Sequence, residues 1–162
     1  MTEEEKDALR WGSHIPALAA CLASTSGNVI ELGVGHSSTP FLHAYCTNSD
    51  RRLYSFEDRK EWADKFQNVK HVWSYCDALS SAVSAFEWAV CFIDSGDGAS
   101  SRSKLFALAL PRCHYVLVHD YHQGIEESIA PLLSGVNHYI YNKYDPPTLI
   151  ASMRRHPSEL FK

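Results

Sequence analysis

Several features that mark common protein classes are missing from this 162-residue sequence. No apolar run approaches the roughly 18 residues that a membrane-spanning helix needs, and the acidic start at residues 1–5 is the opposite of the basic start of a signal peptide. Basic residues number 15 against 19 acidic ones, which gives a net charge of −4. That charge does not favour nucleic acid or an anionic membrane as a partner.

Paired cysteines are absent as well. The five cysteines are scattered without any Cys-x-x-Cys spacing, and Cys76 and Cys91 lie within apolar runs. This pattern is typical of reduced, buried thiols, and it predicts a cytoplasmic protein without a thiolate zinc site.

Internal repeats, low-complexity tracts and interdomain linkers are also missing, and the length suits one domain. We predict a single domain over residues 1–162, with N-terminal helices in 1–27 and a core in 28–162. The sequence leaves the oligomeric state open, with a homodimer among the states considered.

Apolar segments alternate with helical segments through most of the chain. Strands are predicted near residues 29–32, 53–56, 69–73, 89–93 and 115–118. Strands that are apolar throughout and separated by helices indicate a parallel sheet covered on both faces. Two further strands, near 137–141 and 148–151, are close enough to form a hairpin around Asp145-Pro146-Pro147, which we interpret as a turn.

The stretch Glu31-Leu32-Gly33-Val34-Gly35 ends the first predicted strand in a glycine turn, and Thr39-Pro40 predicts the start of the next helix. A nicotinamide dinucleotide site would need a third glycine, where this chain has Ser38. Glu31 would also place negative charge near a diphosphate. A ligand with a cationic amino-acid end suits Glu31 better.

Polar residues end every predicted strand: Glu31, Glu57, Asp77, Asp94 and His119-Asp120. Because ligands bind beyond the carboxyl ends of parallel strands, these side chains are site candidates. Glu57 follows Gly35 by 22 residues, near the offset at which an acid meets a ribose diol. Asp58 is a second acid next to Glu57, and its alternative role is to cap the following helix. Asp77 is placed to accept a hydrogen bond from an adenine amine, with Ala78 packing on the adenine ring.

These residues resemble the class I S-adenosylmethionine-dependent methyltransferases. The resemblance implies a Rossmann-like, doubly wound α/β fold with a mostly parallel seven-stranded sheet, helices on both faces and an antiparallel last strand. It implies that Glu31 and the Gly33–Gly35 turn, with the adjoining His36 and Ser37, hold the methionine part of S-adenosylmethionine. Glu57 would then bind the ribose, and Asp77 with Ala78 the adenine. Ser37 stands where the family often has a third small residue, and His36 departs from the usual pattern.

The segments Phe92-Ile93-Asp94 and His119-Asp120-Tyr121 are similar to those of small-molecule O-methyltransferases. In the metal-dependent members, carboxylates after strands four and five hold a divalent ion, so the resemblance implies Asp94 and Asp120 as Mg²⁺ ligands. His119 replaces an oxygen ligand, which favours His119 or His122 as a general base. Asp94 also has a possible role in orienting the methionine amino group. The turn at residues 11–14 is expected to close over the acceptor space.

Two functions stay open at this point. The first is methyl transfer from S-adenosylmethionine to a small-molecule acceptor, with oxygen as the expected accepting atom and His119, Asp120 and Asp94 as the catalytic residues. The second is an S-adenosylmethionine-binding protein that senses, sequesters or degrades the ligand. The short chain gives the second hypothesis weight, because little sequence is left to build an acceptor pocket.

Overall fold

The computed structural model describes residues 12–66, 73–75, 79–96, 98–122 and 124–162. The helix predicted before residue 11, the predicted adenine-binding pair Asp77 and Ala78, and most of the third predicted strand lie outside these residues.

The described helices flank a single sheet. The α-helices are α1 (Ile15–Ala23), α2 (Ser38–Asn48), α3 (Lys60–Ala63), α4 (Leu79–Ser84), α5 (Ala99–Ala109) and α6 (Gly124–Ile129). Short 3-10 helices cover Asp64–Phe66, Leu110–Arg112, Ala130–Leu133 and Pro157–Phe161. The strands are β1 (Val29–Leu32), β2 (Leu53–Glu57), β3 (Trp73–Tyr75), β4 (Trp88–Ile93), β5 (Cys113–Val118), β6 (Asn137–Tyr141) and β7 (Thr148–Ser152).

The sheet has the strand order β3-β2-β1-β4-β5-β7-β6. Strands β1 to β5 pair in parallel, and β7 runs antiparallel to both β5 and β6. The predicted α/β class and the closing hairpin are therefore confirmed. The order reverses between β1 and β4, because the chain first builds outward through β2 and β3 and then returns to the other side of β1. In open α/β sheets this reversal leaves a crevice at the carboxyl ends of the two strands.

The core lies on both faces of the sheet, and alternate side chains of each central strand enter opposite layers. Ile30 of β1 packs in one layer with Cys91 of β4, whereas Val29 packs in the other with Val90 and Phe92. Burial on both faces explains why these strands are apolar throughout instead of alternating.

Two helix starts differ from the sequence prediction. α2 begins at Ser38, because the Thr39 hydroxyl is engaged with the Glu31 carboxylate and the Gly35 N–H and does not cap the helix. α3 begins at Lys60, with Arg59 and not Asp58 at the capping position. α6 was not predicted from the sequence, although Glu126 and Glu127 in its first turn form an arrangement that favours a helix start.

The described cysteines, Cys21, Cys46, Cys91 and Cys113, are free and buried, as predicted. Among the described residues, no helix is both long and apolar enough to cross a membrane. The cytoplasmic location, the single domain and the oligomeric state stay predictions.

Gly33 provides a test of how closely β1 and β4 approach at their carboxyl ends. Its φ is +96°, and a Cβ placed on it would lie 2.5 Å from the Asp94 carbonyl carbon. We expect Gly33→Ala to lower the free energy of unfolding by at least ~3 kcal/mol, because backbone atoms must move apart in addition to the strain of a left-handed conformation.

The matched control is Gly135→Ala, where φ is +74° and a Cβ would meet nothing within 4 Å. It should cost only the conformational strain, ~1–2 kcal/mol. Urea denaturation measures both values, and equal losses would show that the close approach at Gly33 has no energetic weight.

Candidate functional site

A cavity of about 390 Å³ opens at the carboxyl ends of β1, β4 and β5. Its wall brings together six residues predicted from the sequence: Gly35, His36, Ser37, Asp94, His119 and Asp120. His14, from the turn expected to close over the acceptor space, also lines it. The other predicted site residues within the described chain lie outside the wall: Glu31, Gly33, Glu57, Asp58 and His122.

The glycine turn forms one side of the cavity. Gly33 packs against the peptide between Asp94 and Ser95, which brings the turn next to the end of β4. The Gly33 N–H donates to the Phe56 carbonyl at 2.8 Å, and the Gly35 N–H donates to Thr39 Oγ1 at 2.9 Å. The turn is thus fixed by hydrogen bonds to β2 and α2 before any ligand binds.

Glu31 lies behind this turn and is fully buried. Thr39 donates its hydroxyl to Oε1 at 3.0 Å, and Ser55 donates to Oε2 at 2.6 Å. Burial raises the pKa of Glu31 to about 7, although the hydroxyls of Ser38, Ser55 and Thr39 oppose the shift. Because Thr39 also accepts from Gly35, Glu31 supports the turn from the side away from the cavity.

Glu57 is likewise fully buried, and both of its oxygens accept backbone protons. The Val34 N–H donates to Oε2 at 3.0 Å and the Arg59 N–H to Oε1 at 2.9 Å. The Arg59 side chain then turns into the cavity, where its guanidinium lies 5.2 Å from the Trp62 ring centre and against Gly96. Arg59 therefore fills the space between the end of β2 and the end of β4.

Arg102 of α5 connects the ends of β4 and β5. It is 7% exposed and donates to the Ser95 carbonyl at 2.9 Å, the His119 carbonyl at 2.7 Å and Asp94 Oδ1 at 2.9 Å. Asp120 Oδ2 lies 3.8 Å from its Nη1. One permanently charged side chain thus neutralises part of the acidic charge of the site.

His119 has protein partners on both ring nitrogens. Nδ1 lies 3.2 Å from Asp94 Oδ2 and 3.6 Å from Asp120 Oδ1, and Nε2 lies 3.0 Å from Ser13 Oγ. The Ser13 hydroxyl also donates to the Pro146 carbonyl at 2.8 Å. Ser13, His119 and Asp94 are connected in the same sequence as the serine, histidine and aspartate of a nucleophilic triad. Ser13 is only 2% exposed, however, and does not line the cavity. Its hydroxyl therefore anchors the N-terminal turn.

Asp94, His119 and Asp120 could each offer a ligand atom to a metal, since these atoms lie within 4.8 Å of one another. The surroundings fit Mg²⁺ poorly. Arg102 already binds Asp94 and lies near Asp120, and a cation so close disfavours a divalent ion. The third donor is an imidazole nitrogen, whereas magnesium prefers oxygen. The expected magnesium site therefore has no support beyond the clustering itself.

His14 lines the cavity with an imidazole that is only 2% exposed. Within the described part of the chain, neither ring nitrogen of His14 has a hydrogen-bond partner. Burial lowers the pKa of His14 to about 3, as does the nearby His119, while Asp94 opposes the shift. The ring is therefore uncharged at neutral pH, with one donor and one acceptor nitrogen that are both buried.

Glu31 gives a prediction for the pH dependence of stability. The pKa of Glu31 is about 4.5 in the unfolded chain and about 7 in the folded chain. The folded state therefore binds the proton more tightly. The stability that Glu31 contributes is present below pH 4.5 and is lost as the pH rises to about 7. The Glu31→Gln variant cannot lose stability in this way. Its free energy of unfolding, relative to that of the natural chain, should therefore rise between pH 4.5 and about 7 by up to ~1.4 kcal/mol per pH unit.

Urea denaturation from pH 4.5 to 8 measures the difference. Glu87→Gln serves as the control, because the Glu87 side chain is 67% exposed, and its stability curve should run parallel to that of the natural chain. A parallel curve for Glu31→Gln would contradict the raised pKa.

No family model and no curated protein matches this chain, but solved structures do. CalS11, a TDP-rhamnose 3'-O-methyltransferase of calicheamicin biosynthesis, aligns with a TM-score of 0.63 at 11% identity, over 93% of this chain and 80% of CalS11. Human methyltransferase-like protein 13, solved with SAH, gives a TM-score of 0.58 at 14% identity, over 94% and 83% of the two chains.

The plantazolicin methyltransferase BpumL, solved with SAH and a triazolic desmethylPZN analog, gives a TM-score of 0.53 at 10% identity, over 93% of this chain and 91% of BpumL. Identities this low relate the architectures alone. The chain has the fold of the class I S-adenosylmethionine-dependent methyltransferases.

Proposed function

We propose that the protein transfers a methyl group from S-adenosylmethionine to a small-molecule acceptor, and that the accepting atom is oxygen. The observation that carries this proposal is that one cavity is lined both by the glycine turn and by the Asp94–His119–Asp120 cluster. A cofactor on the turn and an acceptor beside the cluster would share this space, whose volume is in the range of small-molecule sites.

The cofactor half of the proposal rests on the turn and on the neighbours. Two of the similar structures were solved with SAH, the product of the cofactor. In this chain the turn, with His36 and Ser37, would hold the methionine part, and Glu31 would support the turn. Glu57, with Asp58 beside it, would hold the ribose after Arg59 rotates away, and Asp77 with Ala78 would hold the adenine.

The catalytic half concerns the proton of the acceptor hydroxyl. When bound, S-adenosylmethionine supplies an electrophilic methyl group, so the chain's main task is to position the acceptor in line with it. An oxygen acceptor must also lose its proton. His119 is the proposed general base, while Asp94 at 3.2 Å and Asp120 at 3.6 Å from its Nδ1 would orient the ring.

A second function is a protein that binds S-adenosylmethionine to sense, sequester or degrade it. One observation favours it: both His119 nitrogens already have protein partners, Ser13 on one side and Asp94 on the other. A base so engaged must give up one partner to accept a proton. The two functions share the cofactor site and differ in whether a methylated product forms.

Calorimetry tests the cofactor half. We expect S-adenosylmethionine and S-adenosylhomocysteine to bind and NAD not to bind. Glu57→Gln should weaken both sulfur ligands at least ~10-fold, because a carboxylate accepts two ribose hydroxyls better than an amide does. Glu87→Gln, at the opposite end of β4, should leave both affinities unchanged. Failure to bind either sulfur ligand would exclude both proposed functions.

A product assay separates the two functions. The protein is incubated with methyl-labelled S-adenosylmethionine and a mixed extract of small metabolites. We expect labelled product, with at least ~100-fold less from His119→Ala and from Asp120→Ala, because general-base catalysis contributes that much. Product formation unaffected by either substitution would contradict the catalytic assignment. Binding without any product from the natural chain would favour the second function.

EDTA added to the same assay tests the metal. We expect turnover to be insensitive to EDTA, since Arg102 already binds the Asp94 carboxylate. Loss of turnover with EDTA and its recovery with Mg²⁺ would instead support the predicted ligands Asp94 and Asp120.

A further inference from the structure

A second cavity, of about 260 Å³, opens at the amino ends of the parallel strands, opposite the site described above. Its wall is formed by residues 24–26 before β1, by His114 and Tyr115 near the start of β5, and by Ser152, Arg154 and Arg155 at and after the end of β7. Because β7 runs antiparallel to β5, its end lies at this same edge of the sheet. The proposed methyl transfer makes no use of this cavity.

Arg154 and Arg155 bring two positive charges to the cavity. Within the described part of the chain, neither forms an ion pair with an acid, whereas Arg112, for example, pairs with Glu87 at 3.7 Å. Glu159 faces the same region but does not line the cavity. Burial raises the pKa of Tyr115, and Glu159 adds to this rise while Arg155 opposes it. The wall therefore has a net positive charge.

Both guanidinium groups lie close to His114. Arg154 Nη1 donates to His114 Nε2, which uses one of the five donors of that guanidinium. Burial lowers the pKa of His114, and the charges of Arg154 and Arg155 lower it further. The imidazole thus accepts from Arg154 and leaves the two arginines as the cations of the wall.

The backbone holds these arginines in place before any ligand binds. Ser152, the buried last residue of β7, accepts with its Oγ from the Arg154 N–H at 3.1 Å and from the Arg155 N–H at 3.3 Å. The two arginine side chains themselves are exposed. Their remaining donors can therefore reach a molecule in the cavity from a fixed part of the sheet, which lowers the cost of binding.

The end of α1 forms the facing part of the wall, and the carboxyl end of a helix ordinarily repels an anion. Here its carbonyls are already occupied. The hydroxyls of Ser24 and Thr25 donate to the Cys21 carbonyl at 3.0 and 2.8 Å, and Arg51 Nη1 donates to the Leu22 carbonyl at 2.9 Å. Arg51 thus places a further positive charge at this helix end.

We propose that this cavity binds the phosphoryl group of a small phosphorylated molecule, with Arg154 and Arg155 as the groups that hold it. A phosphate monoester carries a charge of about −1.5 to −2 and three terminal oxygens, so it can satisfy two guanidinium groups at once. A carboxylate has a single charge and matches one guanidinium. The volume lies just below the range of small-molecule sites, ~300–1,000 Å³, which leaves room for a short organic body. This proposal is independent of the proposed methyl transfer.

The test uses glycerol 3-phosphate as the probe. The full chain, ¹⁵N-labelled at arginine, is titrated with it at constant ionic strength, and parallel titrations use inorganic phosphate, acetate and glycerol. We expect glycerol 3-phosphate to shift the Nε signals of Arg154 and Arg155 and to bind at least ~10-fold more tightly than acetate, because it engages both guanidinium groups. Inorganic phosphate should bind more weakly than the ester, and glycerol should not bind.

Three variants make the test specific to the cavity. Arg154→Gln and Arg155→Gln should each weaken glycerol 3-phosphate at least ~10-fold, because each removes a charge-assisted donor. Arg112→Gln removes a guanidinium near the start of β5 that does not line the cavity, and it should leave the affinity unchanged. Since Arg154 and Arg155 are exposed, their variants should keep the urea midpoint of the natural chain.

Several results would overturn the proposal. They are the absence of Nε shifts at Arg154 and Arg155, an equal loss of affinity in Arg112→Gln, which would indicate general attraction of anions, and inorganic phosphate binding as tightly as the ester, which would indicate a site for a bare anion only. A DNA duplex that displaces glycerol 3-phosphate and binds more tightly would assign the arginines to nucleic acid. None of these results changes the expected binding of S-adenosylhomocysteine.

Discussion

The guanidinium of Arg102 is the interaction on which the geometry of the site depends. A buried permanent charge must have nearly all its donors satisfied, and Arg102 achieves this with the carbonyls of Ser95 and His119 and the carboxylate of Asp94. These three groups come from the loops after β4 and β5, so satisfying one side chain fixes the distance between two loops. Asp94 is then in place to bind His119 on its other oxygen.

The same charge explains why the acids after β4 and β5 do not form a simple cation site. Asp94 and Asp120 have the placement that a metal site needs, but a fixed cation already lies between them. Both carboxylates instead lie beside the His119 ring, with Asp94 Oδ2 at 3.2 Å and Asp120 Oδ1 at 3.6 Å from its Nδ1.

The fold was largely readable from the sequence because its signals are local. Continuous apolar strands, a glycine turn and the spacing of helical segments each occupy a few neighbouring residues, and they predicted the sheet and the edge at which the cavity lies. The side chains in and around the cavity were harder to predict from the sequence. Nothing local distinguishes Arg102 or His14 from a surface residue, and Ser13 meets His119 across 106 positions of sequence. The acids Glu31 and Glu57 were recognised at strand ends, but only the fold reveals that both are fully buried and accept hydrogen bonds that support the glycine turn.

The Ser13 hydroxyl joins three distant parts of the chain, because it contacts His119 at the end of β5 and the Pro146 carbonyl in the hairpin turn. Because a protein is synthesised from its N-terminal end, residues that are far apart in the sequence are made at different times. A ribosome releases the glycine turn early, but the carbonyl that holds the N-terminal turn emerges 133 residues after Ser13. The wall that carries His14 can therefore close only after Pro146 has been made, later than the strands β1, β4 and β5 whose ends form the edge of the cavity.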